Sequence, residues 1–396
     1  MKTCPEHSAG RHDRLVFLDG LRGLGALSIA SFHIADYGPL PVAAEQWLPD
    51  VRLFILTWGW IPVQWFFVIS GLVAIYTVRD EPLTLRTAAN QFISRILRLG
   101  MAYWLVVALA TVLTTTAIDG WNDRSLNEQP PTLAQLGAHA FFLQDILGLP
   151  HLSTGLWFVC IEVQFGILFL LLTGLAQGLA RATGRPHGRP SSAILLIVFA
   201  PLAVWSLFVA VYQSHSDMWI WHFYCHIFFG ILIGLVLKKA VHPVWFWLYV
   251  AAAGLRVALD YNNILATSFV AGGTIGLSSH LGVLQTWLRQ GVFQYLGRIS
   301  YSLFLIHYPV SWLIGRLGYW FTGEQPQWAA FWLVLSLAAS IPAAHSLHRW
   351  VEEPAMRWAK RMHGGSGRRP IRESADENVE TRLAVSASVP GADGAG

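Results

Sequence analysis

RLVFLDGLRGLGALSIASFHIADY, residues 14–37, decides how the rest of the chain is read. Its length suits one crossing of a bilayer, yet it carries Asp19, Arg22 and His33 inside the apolar run. An ionisable residue at membrane depth costs roughly 2.5–3.5 kcal/mol even on the lenient insertion scale, so it generally serves a purpose. At about 100° per residue, the step from Arg22 to His33 returns to nearly the same helical face. The two residues stand roughly 16 Å apart along the axis, the guanidinium nearer one leaflet and the imidazole deeper in. Asp19 falls one turn before Arg22 in the same sector, where an ion pair with Arg22 accounts for it. Snorkelling accounts for an isolated cation near a helix end. Neither accounts for His33, so the stripe is read as functional.

Working outward, the composition excludes a soluble globular chain: 54% of the 396 residues are hydrophobic and 13% charged, and the mean hydropathy is +0.46. The 19 Trp, 22 Phe and 11 Tyr suit two aromatic interface belts. Cys4, Cys160 and Cys225 follow no metal or disulfide spacing. Apolar runs long enough to cross a bilayer recur at about 15–36, 52–78, 97–117, 155–180, 192–213, 218–237, 243–260, 264–285, 292–318 and 328–350. Basic residues cluster in alternate connections, as at Arg79, Arg86, Arg181, Arg185, Lys238 and Lys239, while the intervening ones hold mainly acids such as Asp50, Asp123, Asp217 and Asp260. The positive-inside rule then predicts an all-α polytopic membrane protein of about ten transmembrane helices with both termini cytoplasmic. Residues 1–13 read as a cytoplasmic leader, 14–361 as the membrane domain and 362–396 as a disordered cytoplasmic tail. In the long external connection, residues 133–148, LAQLGAHAFFLQDILG, read as a short interfacial or re-entrant helix.

Several clusters invite chemistry. Arg95 and Arg98 lie one turn apart and offer two guanidinium forks to phosphates, although a positive-inside flank explains an isolated Arg-x-x-Arg as well. Glu162, with Gln164 two residues on, sits inside the fourth run and requires a partner: a histidine, an arginine or a substrate hydroxyl. A bundle hydrogen bond is the bland alternative. In the ninth run, Ser300 and His307 share a face, with Pro309 just beyond. His222 and His226 at i,i+4 beside Cys225 have a metal- or haem-binding spacing, but their neighbours Trp219, Trp221 and Tyr224 favour an aromatic belt. His345, His348 and Glu352 read as interfacial residues, with a metal site as the minority reading. No metal is expected. No phosphate-binding glycine loop, dinucleotide fingerprint or nucleophile elbow appears in a supporting context, and the basic residues lie on a membrane face, which excludes nucleic acid.

Taken together, these stretches resemble the integral-membrane acyltransferase 3 family, which includes O-acetylases of bacterial surface and exported polysaccharides. The opening FLDGLRGLGALSIASFH matches its arginine, ten residues, then histidine signature at Arg22 and His33. FFVISGLV (66–73), RILR (95–98), LWFVCIEVQF (156–165), LGRISYSLFLIHYPV (296–310) and VEEP (351–354) follow in the family's order. The chain departs from the pattern at Val163, where a second glutamate is common, and at Glu353, where arginine is common. The resemblance implies the stand-alone form without a periplasmic esterase domain, in the bacterial inner membrane. It implies transfer of an acyl group, most simply acetyl, from cytoplasmic acetyl-CoA to a hydroxyl of a glycan or lipid-linked sugar, in contact with membrane lipid and glycan-assembly enzymes. In that reading Arg22, Arg95 and Arg98 hold the donor phosphates, His33 is the catalytic base or acyl carrier, and Glu162 or His307 orients His33 or the acceptor. The rival reading is a transporter or exporter of a glycan or lipid intermediate. A third, a haem- or metal-binding membrane protein, rests on His222 and His226.

Overall fold

The computed structural model describes residues 16–77, 82–115, 130–185, 189–213 and 217–364. The leader and all but the first residues of the expected tail lie outside them. The described chain is all-helical: α1 (Val16–Asp36), α2 (Pro39–Glu45), α3 (Pro49–Trp58), α4 (Val63–Thr77), α5 (Leu85–Thr115), α6 (Leu133–Ala140) and α7 (Leu156–Ala182) make the first half. α8 (Ser192–Phe208), α9 (Ile220–Leu237), α10 (Val244–Leu259), α11 (Asn263–His280), α12 (Gly291–Thr322), α13 (Pro326–Leu347) and α14 (Glu353–Gly364) complete it. Side-chain oxygens of Thr132, Ser191 and Asn262 cap α6, α8 and α11 by accepting from backbone N–H groups three residues on.

Each of the ten apolar runs is largely helical over its described residues, and among the described residues six stretches are both long and apolar enough to cross a membrane: Pro49–Tyr76, Leu85–Thr115, Leu156–Ala182, Ser192–Tyr212, Ile220–Leu237 and Pro326–Arg361. α1, α11 and α12 are long enough but fall outside this set because their polar residues lower the mean hydropathy; α10 is only 16 residues long. The second run is not one unbroken helix. α3 and α4 are separated at residues 59–62, where Gly59 and Pro62 interrupt the pattern and Ser28 Oγ donates to the Gly59 carbonyl at 3.1 Å. On α3, Leu53, Phe54 and Trp58 are more than half exposed, as expected of a lipid-facing surface.

Two close helix pairs position the interior. α1 and α12 run side by side in the same direction, Asp19 beside Gly297 at one end and His33 beside His307 farther along. The approach is backbone to backbone: a Cβ on Gly297 would collide with the Asp19 carbonyl, and one on Gly23 would lie 2.5 Å from the Gly297 nitrogen. α4 and α9 are likewise parallel, with Phe67 against Phe223 and Lys238 Nζ donating to the Ile75 carbonyl at 2.6 Å. Gly71 and Gly230 admit that crossing, since a Cβ on either would strike the facing carbonyl of Ile227 or Val68. Small residues here do what GxxxG-type contacts do in membranes, where packing rather than hydrophobicity drives association.

α9 is the most enclosed helix, buried from His222 through Leu235. His222 and His226 therefore belong to the bundle core, not to an aromatic belt, and no group of three metal-ligating side chains occurs among the described residues. The segment after α5 also departs from expectation. Only Leu133–Ala140 is helical; Phe141–Gly148 folds back in turns, with Phe142 at φ 59°. Trp104 Nε1 donates to the Ala140 carbonyl at 3.1 Å and Cys160 Sγ to the Phe142 carbonyl at 2.7 Å, tying this cap to α5 and α7. After α13 the helix widens into a π-turn over His348–Glu352 and continues as α14 to Gly364, beyond the expected domain end, where Ser94 of α5 donates to the Ala359 carbonyl at 3.3 Å.

Candidate active site

The α1–α12 contact brings two of the singled-out residues together across 274 positions of sequence. His33 Nδ1 and His307 Nε2 are 2.8 Å apart. The ring centroids are 5.1 Å apart and the planes differ by 8°. The nitrogens are so close that the rings must meet edge to edge rather than face to face. The proton positions follow from the third partner. His307 Nδ1 lies 3.0 Å from the Leu303 carbonyl, which can only accept, so Nδ1 carries the proton and Nε2 is the acceptor. His33 Nδ1 must then donate, which leaves the lone pair on His33 Nε2. His307 is fully buried, whereas His33 keeps part of its surface accessible. The arrangement holds one imidazole in a single tautomer, with its basic nitrogen free to act.

Toward the N-terminal end of α1 a second cluster forms. Arg98 stands within electrostatic range of Arg22, Arg95, Glu162 and Glu352, so the three arginines expected to hold phosphates share one neighbourhood. Their roles separate there. Arg95 is committed: its Nη2 donates to Glu162 Oε2 and its Nε to the Glu162 carbonyl at 3.2 Å. Glu162 Oε1 accepts from Ser70 Oγ at 2.6 Å, so the carboxylate has found an arginine and a serine. Gly166 makes room for this, since a Cβ there would lie 2.7 Å from Arg95 Cδ. Arg22 and Arg98 have no hydrogen-bond or ion-pair partner among the described residues, and the ion pair expected between Asp19 and Arg22 is absent. Arg98 is exposed. Two guanidinium groups without a protein partner, near enough to influence each other, offer donors of the kind that bind anions.

The wall beside them was not legible from the sequence. Tyr301 Oη donates to the Leu99 carbonyl at 2.6 Å, and Glu352 Oε2 receives both Ser302 Oγ at 2.7 Å and His348 Nδ1 at 2.9 Å. His348 and Glu352 are therefore buried, not interfacial; the π-turn adds the extra residue that rotates them inward. His345 contacts Tyr295 Oη at 3.2 Å instead. Gln164 is structural: its amide accepts from Ile220 N–H and donates to the Met218 carbonyl, both at 2.9 Å, closing the start of α9. At the opposite end of α1, Tyr37 (ring centroid 5.8 Å from that of His33), Leu40, Tyr308 and Trp312 line a small cleft.

An imidazole held in one tautomer and Arg22 lie on the same helix, with Arg98 nearby on α5. A family model described as an acyltransferase domain matches residues 15–345, which include every one of these groups except His348 and Glu352. The chain belongs to the acyltransferase 3 family. A curated acyltransferase, MdmB of Streptomyces mycarofaciens, is 26% identical over 404 residues, covering 92% of this chain and 95% of the relative. No solved structure matches. As an acyltransferase 3 protein, the chain is a transferase with membrane-spanning helices.

Proposed function

We propose that this protein moves an acyl group, most simply acetyl, from cytoplasmic acyl-CoA to a hydroxyl of a surface or exported glycan sugar in the bacterial inner membrane. One observation carries the reading: a base, His33, shares a helix with Arg22, whose fork is unspent, and Arg98 stands near Arg22 with its own fork free. About three helical turns separate Arg22 from His33. An extended, phosphorylated thioester would hold its phosphates at one end of that span and its carbonyl at the other. The alternating direction of the ten runs draws support from the parallel pairs. α1 and α12 are the first and ninth runs and α4 and α9 belong to the second and sixth, and odd-numbered and even-numbered crossings each share a direction.

In the transfer step, His33 Nε2 takes the acceptor hydroxyl proton as the oxygen attacks the thioester carbonyl carbon. The C–S bond breaks as the tetrahedral intermediate collapses, and the departing thiolate takes the proton from Nε2. His307 accepts from His33 Nδ1 throughout and stabilises the transient imidazolium, as the orienting group of a hydrolase triad does. Alternatively Nε2 attacks the thioester itself and passes the acyl group on as an acyl-imidazole.

Calorimetric titration of CoA into the purified protein tests the donor assignment. Binding that weakens about tenfold in Arg98→Ala is expected from loss of one charge-assisted pair; binding that is absent from the wild type, or unchanged in the variant, contradicts it. The break between α3 and α4 is the feature that favours a transporter, and it has no matching break in a corresponding helix among the described residues. Glycan movement without acyl-CoA consumption would select that reading.

A further inference from the structure

The small cleft at the far end of the α1–α12 pair takes no part in the transfer step described above. Because the two helices run in the same direction, the residues that follow His33 and His307 lie together on the side of the pair away from Arg22. Ile34 and Tyr37 continue α1 there, and Tyr308 and Trp312 continue α12; Tyr37 and Tyr308 meet edge to face with ring centroids 5.6 Å apart. Tyr37 belongs to both places, since its ring lies 5.8 Å from that of His33 and also lines the cleft. Gly38, at φ 91°, then turns the chain out of α1 in a conformation that suits glycine alone. The turn lets α2 bring Leu40 and Pro41 to the cleft, Leu40 in one apolar cluster with Ala329 and Ala330 of α13. The space is therefore bounded by α1, α2, α12 and α13.

Size and chemistry both restrict what can enter. The cavity amounts to about 20 Å³, room for one methyl-sized group and far too little for a sugar ring. Its walls are held by neighbours: Ile34, Leu40, Tyr308 and Trp312 are all buried. Two serines line it, but Ser311 Oγ donates to the Tyr308 carbonyl at 2.9 Å and Ser336 Oγ to the Trp332 carbonyl at 2.8 Å. Those protons are spent within their own helices, so the cleft suits an alkyl group and would bury a polar one at a cost. Position completes the argument. With phosphates toward Arg22 and the carbonyl at His33, the part of an extended acyl-CoA that reaches past the imidazole is the alkyl portion of its acyl group. In an acetyl donor that portion is a single methyl.

We infer that this cleft receives the alkyl end of the donor's acyl group and measures its length, admitting acetyl and turning away longer chains. The inference rests on the acyl-CoA reading above, and the two fail in different ways. The full-length protein, purified in detergent, is given acetyl-, propionyl-, butyryl- and hexanoyl-CoA in turn with cell-envelope glycan. Values of kcat/KM are compared for wild type, Leu333→Ala and Trp312→Phe, two variants that enlarge the cleft from α13 and from α12. Phenylalanine keeps a ring beneath the Arg316 guanidinium, which lies 4.6 Å from the Trp312 ring. A methylene that a fixed apolar site cannot accommodate costs about tenfold or more. Wild type is therefore expected to lose at least about tenfold in kcat/KM between acetyl- and butyryl-CoA. Each enlargement is expected to narrow that ratio about tenfold, with affinity for CoA itself, which carries no acyl group, unchanged. A wild type indifferent to chain length, or folded variants that transfer acetyl with the wild-type preference, overturns the length measurement and leaves the transferase reading standing. A change confined to the acceptor KM also overturns it, by giving the cleft to the acceptor. Wild-type protein that consumes none of the four thioesters would remove the transferase reading and this inference with it.

Discussion

At the scale of single residues, the two arginines of the RILR stretch separate in a way their spacing does not disclose. Arg95 is locked to Glu162 inside the bundle, so Arg95→Ala strands a buried carboxylate. We expect a loss of about 3–5 kcal/mol of stability, read as a large drop in Tm or failure to purify a folded protein. Arg98→Ala strands nothing and is expected to leave Tm within a few degrees while raising the donor KM roughly tenfold. Equal behaviour of the two variants would contradict the division of labour. His307 acts through His33. Because it fixes the tautomer, His307→Phe is expected to lower kcat by about 100-fold or more with donor KM unchanged; a fall confined to KM would contradict the orienting role. Of the residues singled out from sequence alone, Arg22 and Arg98 make no hydrogen bond or ion pair among the described residues, and His33 keeps Nε2 free of any hydrogen-bond partner there. An arginine stood among the partners read for Glu162, and His307 among the groups read to orient His33, but the sequence could not select them, because the pairs join helices hundreds or scores of positions apart and periodicity carries no information about which faces meet.

At the scale of elements, the α1–α12 crossing sets the distance between the imidazoles. Gly297→Val forces the backbones apart, and we expect Tm to fall and transfer to be lost together, whereas Gly178→Ala on α7, where a Cβ meets open space, is expected to be neutral or slightly stabilising. A Gly297→Val protein with normal Tm and activity would mean that the crossing does not position the site. The cap makes a pH prediction. Burial pushes the His139 imidazole below its ordinary 6.5, a backbone bond to Gln135 opposing it only in part. The opened cap binds a proton that the closed cap excludes, so its stability is complete above 6.5 and declines as pH falls below it. Hydrogen exchange over residues 130–155 should therefore show protection lost between pH 7 and 5, relative to the intrinsic rate, and steady between pH 7 and 9; flat protection across pH 5–7 would contradict it. Hydropathy located every long helix but missed the break at residues 59–62, the turns after Ala140 and the π-turn, since each is a local departure stabilised by neighbours remote in sequence.

At the scale of the whole molecule, the chain is a helical membrane acyltransferase whose interior is organised around paired parallel helices and a polar axis along α1. The apolar runs and the ordered motifs were enough to read that class from sequence. The burial of Glu352 and His348 was not, because apolar runs describe what faces lipid and say little about which polar groups turn inward. The ten-span topology predicts that Lys239→Cys reacts with a membrane-impermeant thiol reagent only from the cytoplasmic side and that Tyr261→Cys reacts only from the outer side; labelling of both from one side would contradict it. The central claim is that His33 performs acyl transfer from a CoA donor. Purified protein given radiolabelled acetyl-CoA and cell-envelope glycan, wild type against His33→Ala, tests it most directly. Label should pass to the glycan with wild type and fail to pass with the variant, while both still bind CoA; undiminished transfer by His33→Ala, or wild-type protein that never consumes acetyl-CoA, would contradict the account.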